Sequence, residues 1–285
     1  MKDYAEKTAV VTGGASGIGL ALGRELAARG ARVVLADVEQ SALDTAVAGL
    51  RETGGQAHGV VADVSDYESV VALERRSVEL GDGKVHLLFN NAGVGVYEDL
   101  PLWELPLVDW KWTLDVNLWG VIHGLRAFVP GMLVHGEPGH VVNTSSGNGG
   151  LSLLPTTPIY STSKAAVSTL TESLHLQLVE AGAAIRASVL YPGPHMVSSN
   201  IFTAFRNRPS GLLRDEGQQT PPTLDEIREM VAGMGQELEL TSPEQVAAMA
   251  MSALDDDEYW ILDMSGDTEA AVRARLENIL HRHTP

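Results

Sequence analysis

Tyr160 stands four residues ahead of Lys164 in the run Tyr160-Ser161-Thr162-Ser163-Lys164. On a helix that spacing puts phenol and ammonium on one face. A free phenol has a pKa of ~10, and a cation within ~4–6 Å lowers a neighbouring acid by ~1–3 units. Lys164 would therefore bring Tyr160 within reach of general acid/base work near neutral pH, such as taking the hydroxyl proton of an alcohol. Upstream, Ser145 and Ser146 offer a hydroxyl that could orient a substrate oxygen and steady its developing charge. Successive strand residues point to opposite faces, so only one of the two can face a substrate.

Removing that proton leaves a hydride to be accepted, and a cofactor loop stands far upstream. Thr12-Gly13-Gly14-Ala15-Ser16-Gly17-Ile18-Gly19 lies between an apolar strand and a helix. Glycine there permits a tight turn, close approach of backbone to pyrophosphate and close helix–strand packing. The helix start at Gly17 offers unpaired N–H groups and the positive end of a dipole to phosphate. Asp37 ends the second strand, where an acidic group takes the ribose 2′-hydroxyl of NAD. It would repel a 2′-phosphate, and Val38, Glu39 and Gln40 add no basic group, so the expected cofactor is NAD. Asp63-Val64 and Asn90-Asn91-Ala92-Gly93 end the third and fourth strands, where open parallel sheets bind their ligands.

The elements that must hold these groups follow from hydrophobic periodicity. Strands are predicted at Thr8–Thr12, Arg32–Ala36, Ala57–Ala62, His86–Asn90, His140–Thr144, Ile185–Tyr191 and Tyr259–Leu262. Helices are predicted at Gly17–Arg29, Ser41–Glu52, Asp66–Leu80, Leu107–Val134, Pro158–Ala181, Ser242–Leu254 and Asp267–His281. Apolar strands alternating with helices imply an α/β domain with a parallel sheet covered on both faces. Between Val197 and Thr241 the alternation lapses, with Pro209, Pro221, Pro222 and a charged helical patch at Leu224–Glu237. Its place after a strand end marks it as a lid.

Composition narrows the function. The 285 residues suit one large α/β domain, 1–285, without a linker. The net charge of −17 argues against nucleic acid or an anionic membrane as partner. With no cysteine there are no disulfides, thiolate metal sites or cysteine nucleophile, and no metal is expected. No apolar run reaches the ~18 residues of a membrane span, and no signal peptide is read at Met1, so the expected place is the cytoplasm.

Taken in order, Thr12 to Gly19, Asp63-Val64, Asn90-Asn91-Ala92-Gly93, Asn117, Ser145-Ser146, Tyr160-x-x-x-Lys164 and Pro192-Gly193 resemble the tyrosine-dependent short-chain dehydrogenase/reductases. The resemblance implies a single doubly wound Rossmann domain with a seven-stranded parallel sheet. It implies a catalytic set of Asn117, Ser146, Tyr160 and Lys164, with Ser145 the alternative serine. Asn117 would hold a proton-relay water, Lys164 the nicotinamide ribose hydroxyls, and backbone near Pro192-Gly193 the carboxamide. A phosphate-binding threonine is usual shortly after that glycine; here Val197 stands near its place, with Ser198 and Ser199 following. His195 faces substrate or is an ordinary loop residue.

A weaker resemblance, in Ser199-Asn200-Ile201, Arg206-Asn207-Arg208-Pro209 and the late Tyr259-Trp260-Ile261-Leu262 strand, is to bacterial Cα-dehydrogenases of lignin-type aryl ethers. The apolar residues Val94, Val96, Tyr97, Trp103, Leu151, Leu153, Leu154, Ile201, Phe202 and Phe205 suggest a bulky or aromatic secondary alcohol, a benzylic or steroid-like one included. The family pairs its long helices across subunits, implying a homodimer or homotetramer around Trp110, Trp112 and Trp119. Rival readings are a non-catalytic NAD-binding regulator and a dehydratase or epimerase on the same fold.

Overall fold

A computed structural model describes residues 3–214, 222–265 and 267–284. Seven strands form one parallel sheet: β1 (Thr8–Thr12), β2 (Arg32–Asp37), β3 (Gln56–Val61), β4 (Leu87–Asn90), β5 (Gly139–Thr144), β6 (Ile185–Leu190) and a last strand, Trp260–Ile261. Two short strands precede that last one in the chain, β7 (Met196–Val197) and β8 (Leu240–Thr241), so it is β9. The sheet order is β3-β2-β1-β4-β5-β6-β9, and every neighbour pair is parallel. Central strands buried on both faces must be apolar throughout, and Thr8–Thr12 is buried at all five positions.

Two hydrophobic layers sandwich the sheet. On one face α1 (Gly17–Ala28), α2 (Gln40–Glu52) and α8 (Pro243–Asp255) pack Leu22, Leu26, Leu43, Leu50 and Val246 against Val11, Leu35 and Phe89. On the other, α3 (Tyr67–Leu80), α5 (Gly120–His135) and α6 (Pro158–Glu180) pack Val70, Leu73, Phe128, Met132 and Leu178 against Val10, Val34, Leu88 and Val141. The expected fold, a Rossmann-type seven-stranded parallel sheet with helices on both faces, is the one observed.

The chain starts at β1, works outward to β3, then returns to β4 beside β1. That reversal opens a crevice beyond the carboxyl ends of β1 and β4, where such sheets bind ligands.

Four features beyond the sequence reading bear on the site. The helix expected at Leu107–Val134 is two, α4 (Leu107–Leu114) and α5, joined by a wide π-type turn at Asp115–Trp119. After β5 the chain folds into a tight loop at Gly147–Leu151, within which Asn148 and Gly149 leave helical geometry. Between Val197 and Thr241 the segment is not irregular: it holds helical turns at Asn200–Asn207 and Ser210–Leu212, then α7 (Leu224–Gly233). β7 and β8 pair in parallel and close its two ends, while Pro221 lies outside the described residues. Finally α9 (Asp267–His281) buries none of its residues.

Candidate active site

A cavity of about 790 Å³ opens along the carboxyl ends of the strands. Its floor at one end is the glycine loop. Gly13 adopts φ +64°, and a Cβ there would stand 2.9 Å from Ala92 Cα. At Gly19 a Cβ would fall 2.1 Å from the Gly13 carbonyl oxygen, so only glycine lets α1 begin this close to the loop. Thr12 fixes the turn to β4: its hydroxyl donates to Phe89 O at 3.3 Å and accepts from Asn91 N at 3.0 Å and Ala92 N at 3.1 Å. Ser16, the residue before α1, makes no capping bond with its side chain. The first N–H groups of that helix therefore remain available to an anion, and Ser16, Gly17 and Ile18 line the cavity.

Asp37, Ala62, Asp63, Val64, Ala92 and Gly93 line the same cavity. Asp37 Oδ2 accepts from Ala15 N at 3.1 Å and Oδ1 from Glu39 N at 3.2 Å, so the carboxylate also braces the glycine loop. These features fit a dinucleotide: open helix N–H groups for pyrophosphate and an acidic acceptor at the end of β2 for a ribose hydroxyl.

At the other end of the cavity the catalytic residues meet. Ser146, Tyr160 and Lys164 line the cavity together, the Ser146 side chain near enough to the Tyr160 phenol to oppose a rise in its pKa; the Lys164 ammonium lies 5.7 Å from the Tyr160 ring centroid and donates to Thr144 O at 2.9 Å. Ser145 turns the opposite way, its Oγ 2.8 Å from both Lys164 O and Ser168 Oγ, and is 1% exposed. That leaves Ser146 as the serine whose hydroxyl is turned to the cavity beside Tyr160.

Electrostatically the pair departs from the sequence argument. Burial pushes the Tyr160 phenol up, and the Ser146 side chain only partly opposes it. Burial also brings the Lys164 ammonium down to about 8. In this water-poor corner desolvation outweighs the Ser146 side chain, and the phenol is raised rather than lowered.

Two expected site residues act differently. Asn117 lies in the π-type turn, fully buried, its Oδ1 accepting from Val94 N at 2.8 Å and its Nδ2 donating to Val94 O at 3.0 Å and Ser163 Oγ at 3.1 Å. With those bonds made, its side chain pins the loop after β4 to α6 and is not on the cavity wall. The Asn90 side chain points into the sheet interior, donating to Asn143 Oδ1 at 2.8 Å, so only its backbone is left for a cofactor.

Around the Pro192-Gly193 turn, Pro192 lines the main cavity and Gly193 a smaller neighbouring one of about 480 Å³. Val197 is engaged in β7. It is Ser199 that approaches the glycine loop, 3.3 Å from where a Gly17 Cβ would stand. His195, on the cavity rim, pairs its Nε2 with Glu239 at 3.0 Å.

The substrate wall includes Val94, Val96, Leu151, Leu154, Ile201 and Phe202, as expected, together with Trp112 and Val116. Tyr97, Leu153 and Phe205 are not on it, and Trp103 points outward at 82% exposed.

Three contributors escaped the sequence reading. Glu98, in the loop after β4, accepts from Ile159 N at 2.7 Å and Tyr160 N at 3.1 Å, so α6 begins on its carboxylate; burial raises its pKa. Asp267, Thr268 and Ala271 bring α9 onto the cavity wall, with Arg275 Nη1 donating to Leu151 O at 3.2 Å. The third is a buried ion pair under the lid, Arg208 Nη2 to Asp109 Oδ1 at 2.6 Å, completed by Arg214 Nη2 to Asp109 Oδ2 at 2.6 Å. The Arg208 guanidinium also lies 5.2 Å from the Trp112 ring.

A tyrosine–lysine pair, a serine beside it and a glycine loop shaped to take a dinucleotide share this one cavity. The chain matches the short chain dehydrogenase family over residues 7–208, and it belongs to that family. It is 38% identical over 211 residues to a Cα-dehydrogenase of Sphingobium sp. strain SYK-6, covering 74% of this chain and 67% of that one. It is 42% identical over 187 residues to the 1-deoxy-11-beta-hydroxypentalenate dehydrogenase of Streptomyces avermitilis, covering 65% and 67%. A short-chain dehydrogenase/reductase from Burkholderia phymatum, solved in complex with NAD, superposes with a TM-score of 0.88 at 39% identity over 100% of this chain and 98% of that one. No helix among the described residues is long and apolar enough to cross a membrane.

Proposed function

We propose that the protein is an NAD-dependent dehydrogenase that interconverts a bulky apolar or aromatic secondary alcohol and its ketone. The observation that carries this reading is the grouping of Ser146, Tyr160 and Lys164 on one cavity wall, with the Lys164 ammonium 5.7 Å from the Tyr160 ring centroid. Ser146 holds the substrate oxygen and steadies its charge as the carbon changes from tetrahedral to planar. Tyr160 Oη exchanges the hydroxyl proton with that oxygen: it takes the proton in oxidation and returns it in reduction. Bound NAD supplies the hydride acceptor. Gly13, Ser16, Gly17, Ile18 and Gly19 shape the pyrophosphate cradle, Asp37 takes the adenosine ribose hydroxyls, and Lys164 the nicotinamide ribose.

Apolar residues on the substrate side, Trp112, Leu151, Ile201 and Phe202 among them, support a substrate that buries rings or alkyl chains. The names of the Sphingobium and Streptomyces relatives, both dehydrogenases, support the same class.

The test is NADH formation with a panel of benzylic aryl-ether alcohols and polycyclic alcohols, with NADP run in parallel. Turnover of one class with NAD is expected. Tyr160→Phe should bind NADH as the parent does while losing turnover by about 10²–10⁴-fold, the usual weight of a positioned acid/base. A Tyr160→Phe protein with near-parental rates would end the mechanism, and NADH binding without any turnover would favour the regulator.

A further inference from the structure

The sequence around Asp37 supplies no cation to the adenosine end of the cavity, but the lid does. Arg206, in the helical turn Asn200–Asn207, crosses to Glu39 at the start of α2, two residues beyond Asp37. Its Nε donates to Glu39 Oε2 at 3.3 Å and its Nη2 to Glu39 Oε1, while Asn207 Nδ2 adds a bond to Oε1 at 2.8 Å. Arg206 Nη1 is taken up by Thr203 O and Thr203 Oγ1, both at 2.9 Å. Asp37, Val38, Glu39 and Arg206 line the same stretch of cavity.

A dinucleotide whose adenosine ribose rests on Asp37 presents its 2′ position toward this group. An acidic acceptor suits a 2′-hydroxyl, whereas a nearby arginine accommodates a 2′-phosphate. This chain carries both, and the outcome depends on which groups remain free. Asp37, Glu39 and Arg206 together sum to one negative charge, with the only cation among them already paired. We propose that Glu39 is a specificity-determining residue: by holding Arg206 in an ion pair it withholds the lid guanidinium from a 2′-phosphate and keeps the site selective for NAD. This rests on the reading that the cavity binds NAD. The hydrogen bonds from Arg206 and Asn207 also hold the Glu39 carboxyl below its usual range, so the carboxylate stays charged at working pH.

A simpler role for the pair, as a latch that only closes the lid, predicts something different. Losing a latch weakens NAD and NADP alike, because both share the cradle beneath it. Losing the neutralising partner of Arg206 favours NADP selectively.

Fluorescence titration of NADH and NADPH separates the two without any substrate. The parent, Glu39→Ala, Glu39→Gln, Arg206→Ala and the double variant Glu39→Ala/Arg206→Ala are compared, each checked by circular dichroism for the parental fold. In Glu39→Ala the NADPH dissociation constant should fall at least about tenfold, while that for NADH moves within about threefold. Glu39→Gln, which keeps an oxygen acceptor but no charge, should move the same way by less. Adding Arg206→Ala should remove the gain. Equal weakening toward both nucleotides in Glu39→Ala overturns the proposal in favour of a latch. A gain that survives in the double variant overturns it too, because simple loss of negative charge would then be the cause. If the parent binds NADPH as tightly as NADH, the NAD reading itself fails, and the proposal with it. NAD selectivity in the parent with no NADPH gain in Glu39→Ala sinks the proposal alone.

Discussion

At the scale of single residues, the two serines after β5 show how one position decides chemistry. Ser145 and Ser146 are identical in type, and sequence alone leaves either able to meet a substrate. The strand's alternation sends Ser145 into the interior, onto Lys164 O and Ser168, and Ser146 onto the phenol. Ser146→Ala should therefore cut kcat by about 10²-fold, the scale on which an oriented hydrogen-bond donor acts. Ser145→Ala should leave kcat within a few-fold, its cost appearing as lost stability. Steady-state rates and urea midpoints on both variants check this, and equal losses of kcat would contradict the assignment. The catalytic pair was legible because its spacing is local, one helical turn. Glu98 was not, because a lone carboxylate in a loop carries no mark of the helix start it holds, far along the chain at Ile159 and Tyr160. Nor could type and spacing show that Asn90 turns its side chain inward.

At the scale of elements, the strands and most helices were legible because burial on two faces demands continuous apolar runs between turn residues. The wide turn at Asp115–Trp119 was not. No glycine or proline falls within Asp115–Trp119 to mark it, and its cause is a tertiary one, the Asn117 amide turned onto the Val94 backbone. The lid shows a similar limit. Arg206 and Arg208 were visible as a basic run, but their partners Glu39 and Asp109 lie on distant elements. Arg208 and Asp109 side chains are 1% and 0% exposed, so removing one partner strands a charge in the interior. Asp109→Ala should cost about 3–5 kcal/mol, the usual penalty for breaking a buried pair. It should also open the lid to limited trypsin digestion near Arg208. An unchanged urea midpoint with a trypsin-resistant lid would show that the pair neither stabilises the fold nor holds the lid.

At the scale of the whole molecule, acid sensitivity follows from what the sheet buries. His140 lies inside between β5 and β6, 2% exposed, its Nε2 2.7 Å from Ser188 Oγ, which in turn donates to Glu258 O beside β9. Burial brings the imidazole down from 6.5 to about 3. Between those values the unfolded chain binds a proton that the folded chain refuses. The stability of the neutral, buried form is therefore complete above about 6.5 and declines as pH falls, by about 1.4 kcal/mol per unit from this residue. His140→Gln should reduce the loss measured by urea titration between pH 6.5 and 5 by about 2 kcal/mol relative to the parent. Parallel pH profiles for the two proteins would contradict it.

The wall that α9 lends to the cavity has a further consequence, for the timing of assembly. During synthesis the glycine loop leaves the ribosome first, Ser146 and Tyr160 follow, and Asp267, Thr268 and Ala271 come after β9. A nascent chain that has reached β9 holds the glycine loop, Ser146, Tyr160 and Lys164 but still lacks the stretch of cavity wall formed by Asp267, Thr268 and Ala271. Since α9 buries none of its own residues, it joins by lying on the finished surface rather than by completing the core. In the order of synthesis, the part of the wall that α9 lends is thus made after the glycine loop, Ser146 and Tyr160.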